Sequence, residues 1–304
     1  MKRRTLTVLT WNSQGNGNGG RAARIAGHEL LARHTPDLIF RQGTGGADAD
    51  GGTIRYELED VLALRGWLGP GSHTALFAST HTFAPVRQWA TTGGNAWLTP
   101  PTALTLRLRR AGDASLPILA SSYHLDDTSA ANRLAETGWL TALAGKQWTT
   151  PDGRNVGLPA LLGGDSSSYP ADDLPDAPAL PDLEAIPDPQ HRAHRSRPDP
   201  AGGRRPDTAP DAALRRAGLV DTARHWAAGH GDPTAVARTV NASPATGPDS
   251  RTDRIYTTGQ LLPAIAGADV IEVPEATSGH HILRLTLDAD TLADLLAELA
   301  RPTA

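Results

Sequence analysis

The sequence has no cysteine, only two lysines and few aromatic side chains, and each shortage excludes something. Without cysteine the chain can form no disulfide and offers no thiolate to a metal, so its redox compartment cannot be read. With three Phe, four Tyr and seven Trp in 304 residues, the core has to be built from Leu, Val, Ile and Ala. The lysines are Lys2 and Lys146, and every other cation is arginine. Beside abundant Ala and Pro, that bias fits GC-rich coding better than a need for planar guanidinium forks. A net charge of -4 excludes a uniformly basic nucleic-acid binder and leaves room only for a local patch. No apolar run reaches the length of a transmembrane helix. The basic start Met1-Lys2-Arg3-Arg4 runs into a short, half-polar stretch, Thr5 to Thr10, unlike the apolar region of a secretory signal. A cytoplasmic protein without membrane attachment is the expectation.

The 31 Gly and 24 Pro point to many turns and long loops rather than a helical bundle. Strand-like and helical runs alternate, which predicts one layered α/β domain over residues 1–304. Strands are predicted at 5–11, 38–40, 74–79, 102–109, 117–123, 158–162, 253–256, 269–273 and 281–287. Helices are predicted at 21–34, 54–64, 128–143 (capped by Asp127 or Thr128), 211–217 and 289–300. A Gly-rich loop spans 43–52. From about 169 to 210 the apolar period disappears and Pro, Asp, Ala, Arg and His dominate, predicting a surface excursion. It holds His191 to Arg197 and the pair Arg204-Arg205, which read as a solvated loop balanced by nearby aspartates in preference to a phosphate-binding arm.

The following stretches stand in a fixed order at strand ends. They are Thr10-Trp11-Asn12, Pro36-Asp37-Leu38-Ile39-Phe40-Arg41-Gln42, Ser122-Tyr123-His124-Leu125 and Gly163-Gly164-Asp165-Ser166-Ser167, closed by Arg251-Thr252-Asp253-Arg254-Ile255-Tyr256 with Ser278-Gly279-His280. Each is weak alone, but the ordered set resembles the motifs of the endonuclease/exonuclease/phosphatase superfamily, related to deoxyribonuclease I. Trp11-Asn12-Ser13-Gln14-Gly15 is further similar to the nuclease subunit of cytolethal distending toxins. The resemblance implies a four-layer α/β sandwich, two packed mixed sheets flanked by helices. It also implies magnesium-dependent phosphoester hydrolysis, with hard oxygen ligands holding the cation. By matching positions, Asn12, Gly43, His124, Asp165, Ser167, Asp253, Gly279 and His280 line the pocket.

Three of these depart from the family pattern. Gly43 stands where the metal-binding glutamate is kept, Ser167 where an asparagine is, and Gly279 where an aspartate precedes the last histidine. No metal ligand set is therefore expected, and any magnesium should be weakly held. The resemblance leaves His280 paired with Asp253 and pairs His124 with Glu57, with Asp165 between the two histidines. A carboxylate on one ring nitrogen fixes the tautomer and raises the pKa, which suits acid–base work near neutral pH. His124, Asp165, Asp253 and His280 are the catalytic candidates, and Asn12, Arg41, Glu57 and Ser167 the binding candidates. Trp11, Trp139, Trp148 and Trp226 are expected to pack in the core, and His281 to face away from His280. The favoured function is metal-independent acid–base chemistry on a substrate other than nucleic acid. A weakened magnesium phosphodiesterase and a non-catalytic binder of a phosphorylated ligand or partner stand as alternatives. The expected occupant is a small molecule or phosphorylated ligand; nucleic acid is not favoured, and oligomeric state leaves no trace in the sequence.

Overall fold

A computed structural model describes residues 4–14, 20–89, 96–171, 180–243 and 247–301. In chain order the strands are β1 (Thr5–Asn12), β2 (Leu38–Gln42), β3 (Arg65–Leu68), β4 (Thr74–Ala78), β5 (Phe83–Trp89), β6 (Thr102–Leu108), β7 (Ile118–His124), β8 (Gln147–Thr149), β9 (Asn155–Gly157), β10 (Ala160–Asp165), β11 (Ser196–Pro198), β12 (Arg204–Pro206), β13 (Leu219–Asp221), β14 (Asp253–Thr258), β15 (Ile265–Ile271) and β16 (Ile282–Asp288). The α-helices are α1 (Gly20–Ala32), α2 (Ala49–Leu62), α3 (Ala130–Ala144), α4 (Pro189–His194), α5 (Ala209–Arg216), α6 (Thr222–His230) and α7 (Ala289–Ala300). Two six-stranded mixed sheets result, ordered β15-β16-β1-β2-β4-β3 and β13-β14-β10-β7-β6-β5, with small hairpins β8–β9 and β11–β12 beside them.

The period-two alternation of each strand sorts its side chains between two cores. Leu6 and Val8 of β1 join Leu38 and Phe40 of β2, Leu104 and Leu106 of β6, Ala120 of β7 and Ile255 of β14 between the sheets. The intervening Leu9 and Trp11 point outward, with Ile39 and Phe77, against Leu31 of α1 and Leu58 and Leu62 of α2. On the outer face of the second sheet, Leu119, Tyr123 and Leu162 pack on Leu140 of α3 and Leu214 of α5. Helix, sheet, sheet and helix are the four layers expected.

The Gly-Gly of Gly-Gly-Asp is a packing requirement. A Cβ on Gly163 would lie 2.1 Å from the Phe40 ring, and one on Gly164 would lie 1.9 Å from the Tyr123 carbonyl oxygen. Only bare backbone lets β10 press onto both β2 and β7.

Several predicted boundaries shift for local reasons. Ser129, not Asp127 or Thr128, caps α3 and accepts from the Asn132 amide. The preceding Asp126 instead accepts from the amides of Thr128 and Ser129, making a turn that leads into the helix. The first residues of α2, Asp50 to Gly52, have left-handed φ values, so its regular turns start near the predicted Ile54. Helix α6, strands β3 and β5 and both hairpins are too short, or too polar in pattern, for the periodicity to mark. The excursion is built rather than loose where described: it forms α4 and the β11–β12 hairpin, and its Leu183, Ile186 and Tyr169 are buried. Residues 172–179 of it lie outside the described residues, as does Gly15 of the toxin-like motif. Trp139 is not a packing residue; it is 53% exposed, because Leu140, a step of about 100° around the helix, takes the inward face. Trp148 and Trp226 are partly buried against the cores.

Candidate active site

Register builds the centre of the site. In the second sheet β7 runs parallel to β10 and pairs His124 with Asp165, while β14 runs antiparallel and pairs Asp253 with Asp165. Cross-strand partners share a face, so His124, Asp165 and Asp253 stand in one row at the end of the sandwich. Asn12, the last residue of β1 in the other sheet, reaches across and donates from Nδ2 to Asp165 Oδ2 at 3.0 Å. His280 arrives from the loop before β16.

His280 is held from several sides. Its Nδ1–H donates to Asp253 Oδ2 at 2.9 Å, its amide donates to Ser278 Oγ at 3.0 Å, and its carbonyl accepts the Trp11 indole N–H at 3.0 Å. Ser278 Oγ in turn donates to the Asn12 carbonyl. Trp11 is thus core, as expected, and also fixes the backbone of the last histidine. His281 faces the other way, accepting the Val273 amide on Nδ1.

Asp165 is the hub. Its Oδ2 lies 3.6 Å from His124 Nε2 and 4.0 Å from His280 Nδ1, and its Oδ1 accepts the Ser167 amide at 2.7 Å. Burial alone would raise its pKa, but His124, His280, Arg195 and the Ser167 amide outweigh it and hold the carboxyl well below the usual carboxylate range. Burial alone would lower His280, but Asp253, through charge and hydrogen bond, with Asp165 behind it, holds the imidazole above the ordinary histidine value. Both shifts favour the charged forms, carboxylate on Asp165 and protonated imidazole on His280. Asp165, Asp253 and His280 also offer two carboxylate oxygens and one ring nitrogen within 4.8 Å of one another, the spacing of a metal-ligand set.

Two candidates fall elsewhere. Glu57 does not pair with His124; it lies on α2 and binds Arg21 and Arg24 of α1, the latter at 3.1 Å. Two guanidiniums on the neighbouring helix outcompete a distant imidazole for one carboxylate. Arg41 is not a ligand-binding residue. Fully buried, it donates to the Trp11 and Gln42 carbonyls and to Ser13 Oγ at 2.6 to 2.7 Å, and its Nε donates to His28 Nε2 at 3.3 Å. Burial lowers its pKa to about 9, and burial together with Arg41 lowers His28 to about 3, so His28 is a neutral acceptor inside the fold. Ser167, buried at the site, touches Asp165 through its amide, with its backbone at φ 46°.

The three departures have different settings. Gly43 sits at φ 70° at the end of β2 and lines a cleft of about 300 Å³ with Gly45, His73, Leu98, His124 and Asp127. His73 was missed because no local pattern marks it. The antiparallel register of β2 and β4, Gln42 opposite Thr74, is what brings it across from Gly43. Gly279 donates its amide to Gln14 Oε1 at 3.1 Å.

No family model matches the chain, and no curated protein matches it. Among solved structures it is similar to D. rerio TDP2 humanized by 14 mutations, with TM-score 0.60 and 13% identity over 93% of this chain and 98% of that one. An AP endonuclease from Archaeoglobus fulgidus gives TM-score 0.60 and 11% identity over 93% and 99%. An endonuclease/exonuclease/phosphatase family protein from Bacteroides thetaiotaomicron gives TM-score 0.57 and 15% identity over 94% and 98%. The architecture is thus shared with these structures as two packed mixed sheets flanked by helices. It is the endonuclease/exonuclease/phosphatase fold, of the deoxyribonuclease I type, nearly end to end. Among the described residues no helix is long and apolar enough to cross a membrane.

Proposed function

We propose that the chain is a repurposed member of this fold that carries out metal-independent acid–base chemistry on a small substrate other than nucleic acid. The observation that carries this is the position of Asp165, 3.6 Å from one imidazole and 4.0 Å from a second that is itself bonded to Asp253 at 2.9 Å. The ionised Asp165 orients a hydroxyl or water in the cleft and stabilises the positive charge that builds on His124, 3.6 Å away, as that imidazole takes the proton. His280, with Nδ1–H kept on Asp253, delivers a proton from Nε2 to the group that leaves. His124 closes the other side of the cleft and orients the substrate there.

Magnesium, which the family resemblance implies, calls for near-octahedral oxygen donors at about 2.0–2.1 Å. The donor set fits it poorly: Gly43 offers no carboxylate, both Asp165 oxygens already accept hydrogen bonds, and the third nearby donor is a ring nitrogen bonded to Asp253.

The test is a panel of small chromogenic phosphate and carboxylate esters, assayed with and without a chelator, beside thermal melts in millimolar Mg²⁺. Expected are an unchanged melting temperature and chelator-resistant turnover that falls by about 10²–10⁴ in Asp165→Asn and in His280→Gln. Phosphodiester turnover that appears with Mg²⁺ and vanishes on chelation overturns the reading in favour of a nuclease-like enzyme.

A further inference from the structure

Carboxylates are spread unevenly along the chain. Residues 61–112 and 137–151 hold no Asp or Glu, although the whole chain carries a net charge of -4. The fold brings parts of these two stretches together on the outer face of the second sheet, at its β5 edge. Trp89 closes β5 and donates from its indole to Thr105 Oγ of β6 at 2.7 Å. Arg107, two residues further along β6, shares that face. Lys146 and Trp148 arrive from the turn after α3 and from β8.

Three cations lie over aromatic rings there. The Arg87 guanidinium carbon is 4.0 Å from the centre of the Trp89 ring, Lys146 Nζ is 5.3 Å from the same ring, and the Arg107 guanidinium carbon is 5.8 Å from that of Trp148. None of the three makes a side-chain hydrogen bond or ion pair among the described residues. Trp89, Trp97 and Trp148 are partly buried against the core of Leu140. Next to Trp97, the Leu98 amide donates to Glu136 Oε1 at 2.8 Å, which sets Leu98 beside α3. Trp139, three residues after Glu136, lies on that side of the helix. Leu98 is 58% exposed and Trp139 53%. Four of the chain's seven tryptophans therefore border one surface, with an exposed leucine and three cations that no carboxylate neutralises.

We infer that this surface is a docking face for an anionic membrane, lying on the bilayer at headgroup depth. This goes beyond the acid–base reading and does not depend on it. It also departs from the expectation of no membrane attachment, without requiring a helix that crosses the bilayer. Indole rings are amphipathic and settle at the headgroup level, and cations held near an anionic leaflet are drawn to it. A nucleic-acid strand would instead stack its bases on bare ring faces. Here cations overlie Trp89 and Trp148, and the aliphatic Leu98 suits acyl chains better than bases. Because Leu98 also walls the cleft, docking sets the cleft mouth against the headgroups.

The experiment uses the full chain with vesicles of phosphatidylcholine, alone or mixed with phosphatidylserine, and reads co-sedimentation and tryptophan emission. Expected is saturable binding to the phosphatidylserine vesicles with blue-shifted emission, at least about tenfold weaker on phosphatidylcholine alone. The double variant Arg87→Gln with Lys146→Gln should weaken binding by about 25-fold, roughly fivefold for each cation. Arg238→Gln, which alters an exposed arginine bonded to Glu272, leaves it within about twofold. Trp139→Ala should weaken binding and reduce the blue shift, and it serves if the double variant proves unfolded by circular dichroism. Unchanged vesicle binding in a folded double variant overturns the inference, as does a lack of binding to phosphatidylserine vesicles by the wild type. Tighter binding of a single-stranded oligonucleotide or of polyglutamate than of the vesicles also overturns it, by assigning the face to a nucleic acid or to an acidic protein.

Discussion

Arg133→Met is the perturbation whose size the structure fixes best. Arg133 is fully buried on α3, its Nε 2.9 Å from Asp207 Oδ2, its Nη1 2.6 Å from the Asp126 carbonyl and its Nη2 2.6 Å from the His194 carbonyl. Methionine keeps the apolar stem and removes all three donors. Asp207, itself 1% exposed, then loses the one cation it pairs with among the described residues and keeps the Ala209 amide. Breaking a buried pair from one side costs about 3–5 kcal/mol, because the remaining charge is left without compensation. The two abandoned carbonyls add to that only in part, since all three contacts belong to one network and their energies overlap. The expected loss is therefore about 3–5 kcal/mol in urea unfolding followed by tryptophan fluorescence. The double variant Arg133→Met with Asp207→Leu removes both charges and should regain most of that loss, as replaced buried pairs do elsewhere. Because the same arginine seats the His194–Arg195 peptide, the single variant should also broaden the amide signals of the excursion. A loss under about 1 kcal/mol, or a double variant no more stable than the single one, would refute the argument that this pair is a buried, fully engaged anchor.

Two further outcomes are expected. His280→Gln removes a group whose folded-state pKa is raised by Asp253, so the stability it contributes is complete below the ordinary histidine pKa of about 6.5 and is lost as pH rises through the folded value. The gap in urea midpoint between wild type and variant should accordingly narrow as pH is raised from 6 into the alkaline range, and a gap that widens sinks the assignment. At Gly43, φ 70° penalises any β-carbon, so Gly43→Glu and Gly43→Ala should each lose roughly 1–2 kcal/mol by the same unfolding assay, and an unaffected Glu variant would refute the argument that this turn requires glycine.

The sequence made the scaffold legible because alternation and motif order both act locally. Leu6 and Val8 against Leu9 and Trp11 can be sorted into two faces by counting, and Asp165 could be set at a strand end from the run that precedes it. The row of His124, Asp165 and Asp253 was legible for the same reason, since each closes or opens a strand. What failed depended on which face of one element meets which face of another. Glu57 has the right helix and the wrong neighbour, because Arg21 and Arg24 on α1 are visible as partners only after the helices pack. Arg41 carried a charge that reads as surface or ligand, yet three oxygen acceptors around Trp11 and Ser13 make it a core residue. His73 has no motif at all: strand register alone brings it to the cleft.

The three departures from the family pattern are not equivalent, and the difference bears on how the site arose. Ser167 holds φ 46°, a region that asparagine tolerates better than most residues, so the family's asparagine would sit there without a change of backbone. A Cβ on Gly279 would meet chiefly the end of the flexible Gln14 side chain, at 3.1 Å, which can swing aside. Gly43, at φ 70°, is also left-handed, and of the three it is the one that lines the cleft, where it faces His73 and His124. A point loss of glutamate on an otherwise unchanged loop would leave a backbone that still accommodates glutamate. Here the turn itself favours glycine, and the space beside it is open and walled by two imidazoles.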